Sequence, residues 1–249
     1  MIVLGFDTAT AATAVGLLAG DGHGPGDGAE RRHDPAPGER PGHGPGDGAE
    51  RRHDPAPGER PGHAPRLLAL AHELLAGAGL TFADVRRIAV GVGPGGFTGL
   101  RIGVSTARAL AQASGAEIVG VSTLHALAAG ARPAAGQGVL AVVDARRGEV
   151  FAGGWRGGAQ VLGPLAVKPA DVGELDVAGW LAVGDGALRF RDDLEGAGCV
   201  VPADGSPQHG VSGLAVCRLG LAARDGTRRE LVVPDYLRKP DAVRRDPKP

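Results

Sequence analysis

Aromatic side chains are scarce in this chain: five Phe, two Trp and one Tyr make up 3% of its 249 residues. A surface that grips nucleic-acid bases by stacking needs several exposed rings, so the composition argues against one. Net charge is also missing, because 27 Lys and Arg face 28 Asp and Glu, leaving −1. No global field favours a polyanion, and contact with nucleic acid would need a local basic patch or a partner. Cysteine is limited to Cys199 and Cys217, too few for a disulfide framework; both read as small, inert thiols in a reducing compartment. No run approaches the roughly 18 apolar residues of a membrane span. Met1 to Phe6 is apolar, but no basic residues lead it and Asp7 ends it, so a secretory signal is not expected. These absences predict a cytoplasmic protein with no membrane segment.

Glycine and proline, by contrast, are abundant, with 44 and 19 copies. Much of the excess lies in a tandem repeat. Residues 22–41 read GHGPGDGAERRHDPAPGERP, residues 42–61 repeat the string unchanged, and GHAP at 62–65 restarts it. Of the 44 residues in 22–65, 20 are Gly or Pro and none is larger and more apolar than these or Ala. Such a stretch has little surface to bury against its ordering entropy, which predicts an unstructured surface insertion. The repeat sets His23, His33, His43, His53 and His63 ten residues apart. Metal-binding sites use closer spacings, so the period reflects duplication and no metal site is predicted.

Outside the repeat, short apolar runs alternate with amphipathic stretches. Strands are predicted at 2–6, 14–18, 87–92, 117–121, 140–143, 150–155, 161–167 and 180–183. Helices are predicted at 66–76, 98–114, 124–129 and 211–223, with another opening at Gly184. Thr81-Phe82-Ala83-Asp84 resembles a capping box before a short helical turn. Two strand-rich, helix-closed series imply two α/β lobes: 1–130, carrying the insertion 22–65, and 131–235, followed by a tail, 236–249.

Gly91-Val92-Gly93-Pro94-Gly95-Gly96 lies between a predicted strand and a predicted helix, with Glu117 some twenty residues on. On paper this is the dinucleotide fingerprint of a nicotinamide or flavin oxidoreductase. However, Pro94 removes an N–H from the loop, and Glu117 begins the next strand where a ribose-binding acid would end it. Two readings of the loop stay open: an anion site at a helix N-terminus, or a tight turn that lets backbones approach. In the helix that follows, Gly99, Gly103, Ala107 and Ala111 recur every four residues on one face. Such a face suits internal packing or docking onto another subunit.

The run GVGPGGFTGLRIGVSTARALAQASGAEIVGVSTLHALA resembles the signature of the TsaB (YeaZ) family. MIVLGFDTAT, VVDARRGEVFAG, VGDGA and DYLRKPDA resemble further family segments in the family's order. The resemblance covers essentially the whole chain except 22–65, where it implies the third strand of the first lobe: either that strand survives in part, at Ala29–Arg32 or Ala49–Arg52, or the edge strand is missing. It implies an α/β ASKHA-type fold: two RNase H-like lobes with mixed five-stranded sheets, the second lobe reduced.

The resemblance also implies a role. Asp7 and Asp144 would follow the first strand of each lobe and face a nucleotide or anion cleft, joined there by Thr8, Gly95, Gly96, Gly184, Asp185 and Gly186. The metal-binding H-x-x-x-H of the catalytic relative, TsaD, is absent, and His72, His125 and His209 are isolated; no metal and no catalytic residue is expected. The implied function is a non-catalytic dimerisation subunit. It pairs with TsaD and TsaE homologues to move a threonylcarbamoyl group onto the tRNA adenosine beside the anticodon. The tRNA is met only through that complex, and the chain alone forms a homodimer. The pairing surface would draw on Leu67, Leu70, Leu74, Gly99, Ile102, Gly103, Thr106 and Leu110. No intrinsic cofactor is implied, with room left for ATP or ADP in the complex. The alternative is an active ASKHA ATPase or phosphotransferase using Asp7 and Asp144.

Overall fold

The computed structural model describes residues 1–20, 48–56, 58–59, 61–223 and 231–237. Two sheets form the frame. The first has the order β3-β2-β1-β4-β5, built from β1 (Ile2–Asp7), β2 (Thr13–Ala19), β3 (Ala49–His53), β4 (Arg87–Gly93) and β5 (Glu117–Ser122). β2 is antiparallel to β1 and β3, while β1, β4 and β5 run parallel. The second has the order β8-β7-β6-β9, from β6 (Val139–Arg146), β7 (Glu149–Arg156), β8 (Ala159–Val167) and β9 (Leu181–Val183).

The second sheet repeats the first one's plan, a hairpin followed by a parallel neighbour, and has four strands among the described residues, as a reduced second lobe implies. The place of the fifth is held by a single parallel bridge between Leu181 and Val200. Pro202 follows two residues later and has no N–H to continue a ladder. The β6–β7 hairpin turns through Arg147 and Gly148, both at positive φ, 57° and 76°, the primed-turn geometry that matches strand twist, and Arg146 before them is also at positive φ, 62°, which is rare for such side chains.

Strand alternation sorts the core into three layers. Leu4 and Phe6 of β1 face outward to α1 (His63–Gly77) and α2 (Phe97–Ser114), where Leu67, Leu74, Leu75 and Ala107 meet them. Val3 faces inward to α3 (Thr123–Gly130) and α6 (Gly213–Ala222), which fill the space between the sheets with Leu124, Leu127 and Val216. Leu140 and Val142 of β6 face away from that layer toward Ala187 and Leu194, on α4 (Asp185–Arg189) and α5 (Arg191–Gly196).

Helix α6 is clamped to the first sheet at both ends. Ser212 caps its start, and Glu50 of β3 accepts from Ser212 Oγ at 2.7 Å and Leu214 N at 3.1 Å. At its end Arg87 of β4 donates to Gly220 O at 3.0 Å and Ala223 O at 2.9 Å while pairing with Glu117 at 2.7 Å. A carboxylate at a helix start and a guanidinium at its end both oppose the macrodipole. Gly5 of β1 lies under Cys217, whose thiol burial pushes up to about 12; Cys199 is pushed up to about 11 for the same reason.

Part of the repeat is ordered. Where composition predicts loop across 22–65, Ala49–His53 pairs with β2 and His63 opens α1. The open edge of β2 supplies backbone partners that hydropathy does not reveal. The expected loop at 21–47 and the tail at 238–249 lie outside the described residues. The Thr81 capping box is present, with Thr81 N donating to Asp84 at 2.8 Å. No helix among the described residues is long and apolar enough to cross a membrane.

Candidate functional site

A cleft of about 720 Å³ opens between the two sheets at the carboxyl ends of β1 and β6. Thr8, Gly95 and Gly96 line one side, and Asp144, Asp185 and Arg146 line the other. Pro61 and His63 border it before α1, and Tyr236 and Leu237 near the end of the described chain. Five of the eight residues expected in a nucleotide or anion cleft therefore reach it. Asp7, Gly184 and Gly186 are buried and do not line it.

Asp7 turns inward. It is 1% exposed, its Oδ1 accepts from Ala9 N at 2.7 Å, and its Oδ2 accepts from Thr123 Oγ1 on α3 at 2.7 Å. Burial raises its pKa, opposed by the bonds from Thr123 and Ala9 and by Arg52. Gly91 makes this possible: a Cβ there would overlap the carboxylate. The first glycine of the apparent dinucleotide fingerprint thus houses a buried acid.

Asp144 is held differently. Its Oδ1 accepts from Arg146 N at 2.8 Å. Its Oδ2 takes Arg189 at 2.8 Å and Arg146 at 3.1 Å. Its own N–H donates to Asp185 Oδ1 at 3.0 Å. Burial raises the pKa of Asp185, helped by the Asp144 charge next to it and opposed by the Asp144 N–H. Gly184 N donates to His209 Nδ1 at 3.3 Å, so Nε2 carries the proton given to Pro202 O at 3.1 Å.

The glycine loop is a packing device. Gly96 N donates to Ala9 O at 2.6 Å, and Thr8 Oγ1 donates to Gly99 O at 2.8 Å. A Cβ at Gly99 would overlap Thr8 O, and one at Gly103 would overlap Thr8 Oγ1. The small face of α2 is thus filled from within by the β1–β2 turn, and Ala107 and Ala111 are buried beside it. Glu117 pairs with Arg87, so the fingerprint's acid is engaged elsewhere.

Of the eight residues expected on the pairing surface, Leu67, Leu74, Gly99 and Gly103 are buried in the chain's own core. Leu70, Ile102, Thr106 and Leu110 are half-buried. The other flank of α2 carries residues 231–237. Asp235 N bonds Val92 O at 2.7 Å, and Arg108 donates to Val232 O at 2.6 Å. Arg101 lies 3.8 Å over the Phe97 ring and reaches the Tyr236 hydroxyl at 3.2 Å.

Several of these residues escape a reading of the sequence. Thr123, Arg189 and Tyr236 act across gaps of many residues and carry no local signal. His63 falls in the ten-residue histidine period, yet it is buried and bonded through Nδ1 to Thr13 Oγ1 at 2.8 Å. Burial and the nearby His53 lower its pKa. Among the described residues no group of three or more His, Cys, Asp or Glu is placed to hold a metal ion. His72 is exposed, and His125 stacks on Trp155.

Two sheets of this topology facing across such a cleft, each with an aspartate at the end of its first strand, define an ASKHA-type protein. The family model described as "TsaD: tRNA N6-adenosine threonylcarbamoyltransferase" matches residues 59–189, more than half of the chain. An uncharacterized protein of Mycobacterium leprae is 32% identical over 97% of this chain and 56% of its own length. The "tRNA threonylcarbamoyladenosine biosynthesis protein TsaB" of Escherichia coli is 42% identical over 34% of this chain and 38% of its own length. The solved structure of "YeaZ from Pseudomonas aeruginosa" superposes with a TM-score of 0.68 at 28% identity, covering 95% of this chain and 99% of that one. The chain spans little more than half the length of the Mycobacterium leprae relative. It belongs to the TsaB (YeaZ) family.

Proposed function

We propose that this chain serves tRNA threonylcarbamoyladenosine biosynthesis as a non-catalytic subunit. In this reading it pairs with a TsaD homologue and works with a TsaE homologue. Together they transfer a threonylcarbamoyl group to the tRNA adenosine beside the anticodon. One observation carries the non-catalytic part: both aspartates that the phosphotransferase reading needs, Asp7 and Asp144, are engaged within the protein. Asp7 has both oxygens bonded inside the protein, and Asp144 is held by two guanidinium groups. A carboxylate that is to hold magnesium or activate a hydroxyl must offer an open lone pair to the cleft. The phosphotransferase alternative would have to break both arrangements.

The pairing part rests on family membership and on α1 and α2. With Leu67, Leu74, Gly99 and Gly103 used internally, the contacts fall to Leu70, Ile102, Thr106 and Leu110. Co-purification with the TsaD homologue of the same cell tests this, read by size-exclusion chromatography with mass determination. A one-to-one complex that restores tRNA modification is expected. Ile102→Asp with Thr106→Asp should weaken it at least about tenfold while leaving the chain folded. An unweakened complex would move the interface elsewhere, and ATP turnover by the isolated chain, lost in Asp144→Asn, would revive the phosphotransferase reading.

A further inference from the structure

The slot that β3 fills is formed by the edge of β2 and the start of α6. Every contact that holds β3 there comes from within one copy of the repeat. Ala49 to His53 pair with Leu17 to Thr13. Glu50 caps α6 through Ser212 and Leu214. Arg52 pairs with Asp54, reaches Val211 O at 3.4 Å and lies across Gly210. Gly48 enters the strand at φ 66°, a left-handed conformation that suits glycine.

The first copy carries the same residues at the same spacing. Gly28, Ala29, Glu30, Arg32 and Asp34 stand where Gly48, Ala49, Glu50, Arg52 and Asp54 stand in the second. The connections are equivalent too. With the second copy in the slot, residues 20–48 stand between β2 and β3 and residues 54–62 between β3 and α1, 29 and 9 residues of chain. With the first copy there, residues 20–28 and 34–62 would do so, 9 and 29 residues of chain. Exchange swaps the two lengths and leaves their summed closure entropy unchanged, since each depends on the logarithm of its own length. Register is ambiguous wherever two pairings satisfy the same face equally.

We infer that the two repeat copies compete for one strand position, so that the chain folds into two arrangements with populations within about tenfold of each other. The choice reaches the cleft. In one arrangement a short link brings Pro61 and His63 to its border; in the other a link three times longer arrives there.

The test uses the full chain. Glu50→Ala alone removes the cap from one arrangement and leaves Glu30 to supply it in the other. Its melting-temperature loss and that of Glu30→Ala alone should add up to less than the loss in the Glu30→Ala/Glu50→Ala double variant, for which about 2–4 °C is expected. In a chain lacking residues 22–41, Glu50→Ala should show the whole loss. The amides of Gly20 and His63, next to the links whose lengths differ, should give two resonances in the intact chain and one after the deletion. If Glu50→Ala alone matches the double variant and Gly20 and His63 give single resonances throughout, the second copy is the sole occupant and the inference falls.

Discussion

Asp7 and Asp144 stand near the ends of equivalent strands in the two halves of the molecule, and each is held by the protein in a different way. Asp7 is enclosed: burial disfavours its charge, and a hydroxyl and a backbone N–H take its oxygens. Asp144 stays at the cleft but is neutralised by Arg146 and Arg189, whose side chains are 71% and 53% exposed. The enclosed route depends on core packing and should resist solvent and salt. The paired route depends on surface charges, which salt screens. The first half thus hides its acid structurally, and the second covers it electrostatically.

The largest break in this comparison should come from Gly91→Ala. The added Cβ would overlap the Asp7 carboxylate, with no flexible end to yield, and a loss of about 3 kcal/mol or more is expected in chemical denaturation. Asp7→Asn should act in the opposite direction. A folded pKa raised above the unfolded one weakens the fold as pH climbs past the unfolded value of about 3.9. The Asn variant should therefore match the parent near pH 3 and gain on it toward pH 7, visible as a higher melting temperature. His63 supplies the reverse sign. Its lowered pKa contributes stability above about pH 6.5 that is lost as pH falls through the folded value. His63→Gln should flatten the acid side of the stability profile between pH 7 and 5. The smallest effect belongs to Arg189→Ala. An exposed partner is worth under about 1 kcal/mol, so stability should hardly change and the remaining difference should vanish in 1 M salt. A large, salt-resistant loss there would show that the two halves hide their acids in the same way.

Much of this arrangement can be read from residue order alone. Alternating Val3, Leu4, Gly5 and Phe6, the capped turn at Thr81, and the 3.6-residue periods of α1 and α2 announce their elements because the signal is local. The glycine stripe of α2 is legible as a packing face, but not its occupant, because close packing within a chain and between chains demand the same small residues. Only the approach of Thr8, 91 residues earlier than Gly99 in the chain, decides between them. The enclosure of Asp7 by Thr123 and the pairing of Asp144 with Arg189 are hidden likewise. The edge strand inside the repeat is obscured by composition: AERRH has no apolar face, and its partners are a backbone edge and a helix end.

The clamp that fixes α6 to the first sheet also sets an order of events at the ribosome. Val3 and Ala89 lie on the sheet face that α6 covers, and the groups holding that helix, Glu50 and Arg87, are made long before it. Until residue 222 has left the exit tunnel, the first sheet carries an open apolar face and two charged side chains waiting for helix ends. The first sheet, although its strands are made early, is therefore completed only when α6 arrives, and a ribosome stalled before that point would present part of its inner face uncovered.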